Sequence, residues 1–366
     1  MYQKEQINSF QMALLFFAFM TGSSIVNIPG PLIGFARNGA WLSLLIAMCS
    51  GLLMLSGVLF LYKRFPELTL IEYSRKLVGN VLTCILAIAF VSFQWHMTSG
   101  IVLDIGLFMT SSMMRQTPLY LFLFFVYIVA ALSVRSGIET IARMLLVPFV
   151  IVILFIVLTL ILSINNYDVY QLLPVMPEGV KPILLGGYFA YGFPYTELIL
   201  MSMLLPYVRS DERSLVGKRM YVALLLNGFF LLAVTLCTIL VFGPMAGERK
   251  YSMFEVARII NMLEVIQRIE SIIGISLITT ALMKATITLY ILNLTLSNLF
   301  KLSDNRILVY PLALTCFLFS LMQIRKGAAF WVNSVSVLHG IWGTFALVLP
   351  LLLLIAVALL RRKQNE

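Results

Sequence analysis

The stretch "GGYFAYGFPYTELIL", residues 186–200, decides how this sequence folds. It lies within a long apolar run, yet it holds three glycines, a proline and the carboxylate of Glu197. Proline removes a backbone donor and clashes with the preceding turn, and glycine weakens a helix locally. The pattern therefore predicts a helix that is interrupted at Gly192, Phe193 and Pro194.

The rest of the sequence predicts a membrane protein. Of its 366 residues, 61% are hydrophobic and 11% are charged, whereas a soluble protein carries about a quarter charged residues. Apolar runs of about 20 residues, the length that a membrane-spanning helix needs, recur along the chain. They predict about ten helices. We place them near residues 10–36, 40–62, 81–113, 118–134, 142–164, 183–207, 217–243, 271–299, 306–324 and 334–360.

A second interruption matches the first. In the first predicted helix, Gly22, Ser23 and Ser24 interrupt the apolar run at mid-depth, and Pro29 and Pro31 follow. The two broken helices each open a set of five, and an odd number of helices gives the sets opposite orientations. This predicts an all-α, single-domain membrane protein with a five-plus-five inverted repeat, repeat one near 10–164 and repeat two near 183–360.

Broken helices of this kind favour a central binding site. Half-helix N-termini suit a carboxylate, and the freed carbonyls suit an ammonium group or a cation, so a zwitterionic amino acid offers both groups. Two ordinary proline kinks with helix-packing glycines are the alternative interpretation.

Three ionisable side chains lie within predicted spans, where each costs about 2.5–3.5 kcal/mol on insertion scales. Glu197 follows the second break by one turn and could hold a ligand amine, relay a proton or cap the break. Lys284 has Thr280 and Thr288 one turn away on the same helix face. It could occupy a cation position, bind a ligand carboxylate, or form a structural ion pair with Glu197 or Asp104.

Helix three carries a polar stripe. His96, Gly100 and Asp104 recur at intervals of four residues and share one face. The stripe could line a proton or water path together with Glu197, or it could be a satisfied set of hydrogen bonds between helices. His339, near the start of the tenth helix, receives no specific role.

Charge predicts the orientation of the chain. With a cytoplasmic N-terminus, sixteen of the 26 lysines and arginines fall in inside loops and nine in outside loops, which favours both termini inside. The long outer loop, 244–270, predicts an amphipathic surface helix, either a packed interfacial loop or a lid over an outward-facing cavity. Its apolar face comprises Val256, Ile259, Ile260, Leu263 and Ile266.

No enzyme signal is present in the sequence. HExxH, G-x-S-x-G and Walker patterns are absent, and the four cysteines lie in apolar runs without CxxC spacing. We therefore expect no catalytic residues, metal or cofactor. The net charge of +10 resides in short loops, so an orientation signal explains it more simply than a nucleic-acid partner.

Three segments carry a family resemblance: "RFPELTLIEYSRKLVGN" (64–80), "LLPVMPEGVKPILLG" (172–186) and "QRIESIIG" (267–274). Together they resemble the B subunits of bacterial spore germinant receptors. Those subunits form the spore germination permease branch of the amino acid–polyamine–organocation superfamily.

The resemblance implies a LeuT-like fold in the spore inner membrane or bacterial cell membrane, with both termini on the core side. It also implies a nutrient ligand, typically an amino acid, and two partners: the receptor A subunit, a membrane protein, and the C subunit, a lipoprotein. By position, the ligand pocket would be formed by both helix breaks and by the faces of helices three and eight. That set comprises Gly22, Ser23, Ser24, Ile25, His96, Gly100, Gly192, Phe193, Pro194, Glu197, Thr280, Lys284 and Thr288.

Lys284 departs from the superfamily pattern, because helix eight often presents small hydroxyl residues there. This leaves the ligand class open. A nutrient sensor is the first hypothesis, and an amino acid–cation or amino acid–proton symporter is the alternative. A channel-like subunit that conducts along the His96 and Asp104 stripe is a third.

Overall fold

The structure, a computed structural model, describes residues 5–260, 269–302, 304–327, 331 and 334–363. These residues fold almost entirely into helices, and one isolated bridge between Ile7 and Val208 is their sole β-type pairing. We number the helices α1 Ser9–Thr21, α2 Ser24–Asn27, α3 Pro29–Ala36, α4 Ala40–Arg64, α5 Leu70–Phe108, α6 Leu119–Arg135, α7 Ile138–Met144, α8 Leu146–Leu162, α9 Val180–Ala190, α10 Arg213–Phe242, α11 Ser252–Ile259, α12 Ile269–Phe300, α13 Val309–Gln323 and α14 Ser334–Arg361.

Within the described ranges, eight helical segments are long and apolar enough to cross a membrane. Helix α6 is apolar but shorter, with 17 residues, and the path that begins with α9 is broken midway. These segments correspond to the ten predicted apolar runs. The chain is therefore a multi-pass membrane protein, as predicted.

The first predicted interruption is present. Helix α1 ends at Thr21 and α2 begins at Ser24. The Ser24 hydroxyl donates to the Met20 carbonyl at 2.5 Å and lies 3.2 Å from the Thr21 carbonyl. A backbone oxygen freed by the break thereby gains a partner inside the protein, as a dry environment requires.

The second interruption is more extensive than the first. Helix α9 ends at Ala190, residues 191–195 form a wide turn, and Phe193 is extended. The chain then continues as a tight 3₁₀ segment, Thr196–Met203. The Thr196 hydroxyl donates to the Gly192 carbonyl at 2.6 Å. Both predicted breaks thus exist, one in the first and one in the sixth predicted helix.

The third predicted helix begins earlier than its apolar run indicated. Helix α5 starts at Leu70, where Thr69 and Glu72 form a reciprocal capping box, and Gly79 with φ +80° marks a kink within it. The Arg75 guanidinium donates to the carbonyls of Asn298 and Leu299 at 3.1 and 2.7 Å. The segment 64–80 therefore ties the start of α5 to the end of α12.

The outer loop contains the short helix α11. Val256 and Ile260 are buried as predicted, but Ile259 is 45% exposed. The helix ends at Ile259. Met253 and Phe254 complete the buried face instead. The part of the predicted amphipathic helix with Leu263 and Ile266 lies outside the described residues.

Candidate functional site

A buried ion pair lies where the two broken helices meet α12. The Lys284 ammonium donates to Glu197 Oε2 at 2.6 Å, and the two side chains are 0% and 1% exposed. An ionised group without a counter-charge is very unfavourable in such an environment, so each partner depends on the other. Of the pairings that the sequence left open for Lys284, the structure contains the one with Glu197.

His339 completes this cluster from α14. Its Nε2 lies 2.9 Å from Glu197 Oε1, so each carboxylate oxygen of Glu197 has its own partner. The Lys284 ammonium also lies 4.5 Å from the ring centroid of Phe193 and 5.2 Å from that of Phe19. Aromatic faces attract cations, and more strongly when water is excluded. We call Glu197, Lys284 and His339 the central triad.

Glycines at the breaks bring the backbones close enough for the triad to form. A Cβ on Gly22 would lie 2.8 Å from the Thr280 carbonyl oxygen and 2.9 Å from Lys284 Cβ. A Cβ on Gly192 would lie 2.7 Å from Gly340 Cα. These distances are shorter than real Cβ contacts, so any larger residue would push the broken helices away from α12 and α14.

The hydroxyls at the site are partly satisfied by backbone. Thr280 and Thr288 donate to carbonyls of their own helix, at 2.9 and 3.0 Å. In contrast, the buried Ser23 hydroxyl and the Asn27 side-chain oxygen have no hydrogen-bond partner among the described residues. Buried polar atoms rarely lack a partner, so the first break retains polar groups that a ligand or water could engage.

The polar stripe of α5 contacts α14 and the residues that precede it. His96 Nδ1 lies 2.8 Å from Gln323 Nε2, and the His96 ring stacks on Trp342 at a centroid distance of 4.9 Å. A Cβ on Gly100 would lie 2.5 Å from the Trp331 ring. The His96 ring is 6.1 Å from that of His339, which places the stripe beside the central triad.

Asp104 lies at the C-terminal end of this stripe. It accepts hydrogen bonds from Trp331 Nε1 at 2.8 Å and from the Lys250 ammonium at 3.4 Å. Burial lowers the pKa of Lys250, but the Asp104 carboxylate and Tyr251 raise it more, so the net shift is upward. Lys250 thus remains a cation bound to the Asp104 carboxylate.

The cavities around the first break are small. One, lined by Gly22, Ser23 and Asp104 among others, has a volume of about 20 Å³. Another, between Phe193, Lys250 and Trp331, has about 30 Å³. A water molecule occupies roughly 30 Å³ in the liquid. The centre of the protein is therefore closed in this conformation, and a nutrient-sized ligand requires the surrounding helices to separate.

The structure gathers part of the predicted set around the triad. Lys284 contacts three members of this set: Gly22, Phe193 and Glu197. Gly192 and Pro194 belong to the same wide turn as Phe193. Ile25 is buried in α2.

Sequence reasoning missed His339, Phe19, Thr196, Lys250 and Trp331. His339 is one of two histidines in the whole chain, and that rarity within an apolar run was the available signal. In the sequence, the other four do not differ from ordinary apolar, hydroxyl or loop residues.

Several solved structures that share this fold are described as transporters. A Na⁺-coupled sialic acid symporter in a substrate-bound outward-open state aligns with a TM-score of 0.68 and 10% identity, over 94% of this chain and 81% of that one. MhsT in complex with L-phenylalanine aligns with a TM-score of 0.68 and 14% identity, over 94% and 89%. At these identities the likeness establishes the fold. Fold and site together define a transporter-like membrane protein with discontinuous helices.

The sequence comparisons then give the family. The family model described as "Spore germination protein" matches residues 6–327. Spore germination protein KB of Bacillus subtilis (strain 168) is 24% identical over 369 residues, covering 100% of this chain and 97% of that relative. This chain belongs to the spore germination permease family, and the resemblance noted in its three segments is confirmed.

Proposed function

We propose that this protein is the nutrient-sensing subunit of a spore germination receptor. A small ligand, most simply an amino acid, binds between the two helix breaks and the faces of α5 and α12. The name of the Bacillus subtilis relative supports the role in germination. The bound L-phenylalanine in MhsT and the geometry of the breaks support the ligand class.

The central triad supports this site. A ligand carboxylate can compete with Glu197 for the Lys284 ammonium, while a ligand amine can engage Glu197 and the freed backbone oxygens of the breaks. The unpartnered oxygens of Ser23 and Asn27 provide further polar contacts. Because the adjoining cavities are water-sized, ligand binding selects a conformation in which the broken helices have moved apart.

The buried position of the Lys284 side chain between both broken helices is the single observation that favours a sensor. Its ammonium lies fully buried between both broken helices and is bonded to Glu197 at 2.6 Å. A resident cation at this position takes the place that a transported cation would need. Binding energy is then available to shift a conformational equilibrium, and the partner subunits detect that shift.

A proton-coupled symporter is the second candidate. His339 Nε2 is 2.9 Å from Glu197, and the His96 ring is 6.1 Å from the His339 ring. These groups form a short series of titratable side chains next to the ligand site, an arrangement that serves proton relays in transporters. Asp104 extends the series toward the outer side.

Uptake into liposomes separates the two candidates. Purified protein is reconstituted into vesicles and offered a panel of radiolabelled L-amino acids, with and without a proton or sodium gradient. A sensor binds its ligand without concentrating it, whereas gradient-driven accumulation would refute the sensor. Lys284→Ala and Glu197→Gln should both weaken binding and the germination response while the protein is still produced. Normal responses in both variants would refute the pocket.

The receptor context follows from the family resemblance. We propose that the chain acts with a membrane-bound A subunit and a lipoprotein C subunit, in the spore inner membrane, with both termini facing the core. Co-purification of the two subunits with a tagged form of this protein from spore membranes tests this assembly. Recovery of the tagged chain alone, under conditions that preserve a known membrane complex, would contradict it.

A further inference from the structure

We propose that this protein has a built site for an anionic glycerophospholipid at the Arg213 end of α10. The headgroup lies in a basic cavity between α4 and α10, and one acyl chain lies in an adjoining apolar groove. None of the residues that line the cavity and the groove belongs to the proposed nutrient pocket.

The basic cavity has a volume of about 530 Å³, which is within the range of small-molecule sites. Three cationic side chains line it, and Tyr62, Tyr221 and Ser56 add hydroxyls. The cations are Lys63, Arg213 and Lys218. Glu67 pairs with Arg213 at 3.4 Å but is itself largely exposed, so the cavity keeps a positive excess. Basic pockets between membrane helices on the cytoplasmic side bind phosphate headgroups.

Two residues that line this cavity each carry a buried polar atom without a partner. Within the described part of the chain, neither the Tyr62 hydroxyl nor Arg213 Nε has a hydrogen-bond partner, although both atoms are shielded from solvent. Both are donors of the kind that a phosphate oxygen accepts, since guanidinium and phosphate geometries match. The cavity therefore offers donors and positive charge to an anion.

The apolar groove explains why the anion is a lipid. The groove has a volume of about 610 Å³, is lined by α1, α8 and α10, and shares Lys218 with the basic cavity. Phe17 forms its aromatic base, at 5.1 Å from Phe149 and 6.0 Å from Phe230. Along α10 it extends from Leu215 to Phe230, which is roughly 22 Å at 1.5 Å per residue.

That length exceeds the depth of one leaflet, about half of a roughly 30 Å hydrocarbon core. An acyl chain thus fits along the groove while its phosphate stays beside Lys218. A partner helix with an apolar face would fill the groove but would leave the cations and the two orphan donors unmatched. A soluble phosphate would satisfy the cations but leave the groove unfilled.

Native mass spectrometry of the purified full-length protein tests the proposal with defined lipids. Phosphatidylglycerol should remain bound, and phosphatidylcholine should be retained much more weakly. Replacing Lys63, Arg213 and Lys218 together by Gln should lower phosphatidylglycerol affinity about 100-fold, since each basic residue contributes roughly a fivefold effect. The matched control replaces three exposed cations outside the cavity, Arg135, Arg143 and Arg361, by Gln and should retain the lipid.

Further arms distinguish the other occupants. The single variants Lys63→Gln and Lys218→Gln each change one exposed side chain. They keep the test decisive if the triple variant does not fold. Each should lower the affinity for phosphatidylglycerol about fivefold. Ala13→Phe fills the groove and should reduce lipid retention with the cations intact. Displacement of the lipid by inorganic phosphate, equal retention of both lipids, or unchanged affinity in both single variants would overturn the proposal. A protein subunit that co-purifies and occupies the groove would also overturn the proposal. The decisive result is that removing this subunit empties the groove while the amount of bound lipid stays the same.

Discussion

Lys284 has its charge fully inside the protein, 87 positions along the chain from the carboxylate that balances it. Glu197 in turn is held by His339 on its second oxygen. This arrangement makes the three side chains interdependent, because removal of one leaves an uncompensated polar or charged group in a dry environment. The aromatic rings of Phe19 and Phe193 lie within cation–π distance of the ammonium and stabilise its charge.

Lys284→Met should therefore destabilise the protein by about 3–5 kcal/mol, since the Glu197 charge remains buried without its partner. Combining Lys284→Met with Glu197→Gln should recover much of this loss, because no charge is then unbalanced. Thermal unfolding of detergent-solubilised protein measures both effects.

Arg258→Gln is the matched control. Its pair with Glu255 is at the surface, so its loss should cost about 1 kcal/mol or less. If the double variant at Lys284 and Glu197 were less stable than either single variant, these two side chains would not be an interdependent ion pair.

At the scale of elements, two close helix approaches determine the site. The first break packs against α12 at Gly22, and the second packs against α14 at Gly192. The N-terminal segment adds a backbone pairing, from Ile7 to Tyr207 and Arg209, that fastens α1 to the end of the second broken path. Conformational change around the ligand site must therefore separate or slide these same contacts.

Gly22→Ala should cost about 1–3 kcal/mol from overpacking, because its Cβ meets backbone at 2.8 Å. Gly187→Ala is the control, since the nearest atom to its Cβ lies 3.5 Å away. Alanine there should be neutral or slightly stabilising, as it is the better helix former. Melting temperatures of the two variants compare the sites, and an equal change at both would contradict the close packing at Gly22.

The Lys250–Asp104 contact predicts a pH dependence on the outer side. The folded-state pKa of Lys250 is raised above its ordinary value of about 10.4. The contact should therefore stabilise the protein fully at neutral pH and be lost as pH rises through that raised pKa. The stability difference between wild type and Lys250→Met should be about 1 kcal/mol. It should stay constant from about pH 7 to 9 and shrink above about 10.4, and a decline that begins near neutral pH would argue against the contact.

At the scale of the whole molecule, the charge bias predicts a topology with both termini inside. With both termini inside, Arg115 and Lys181 lie in outside loops and Arg135 and Lys301 in inside loops. In a background without native cysteines, Cys at positions 115 and 181 should react with a membrane-impermeant thiol reagent in intact cells. Cys at positions 135 and 301 should react only after the membrane is opened, and the reverse pattern would show that the chain is inverted.

The sequence by itself determined the membrane class, the approximate spans, both helix breaks and the family. Each of these depends on local composition, on a residue type such as proline, or on a motif along the chain. The division into repeats near 10–164 and 183–360 stays a prediction from the same reasoning. The 3₁₀ form of Thr196–Met203 did not follow, because tertiary packing around the break overrides local helix propensity.

The tertiary structure alone decided which polar groups meet. Sequence reasoning left Lys284 with Glu197 or Asp104 as partner, and it gave His339 no role. The partners in the central triad are 87 and 142 positions apart, and helical periodicity relates residues only within one helix. Packing of α12 and α14 against the two breaks brings these groups together. This arrangement is favoured because a buried charge is stable only when a counter-charge inside the fold balances it.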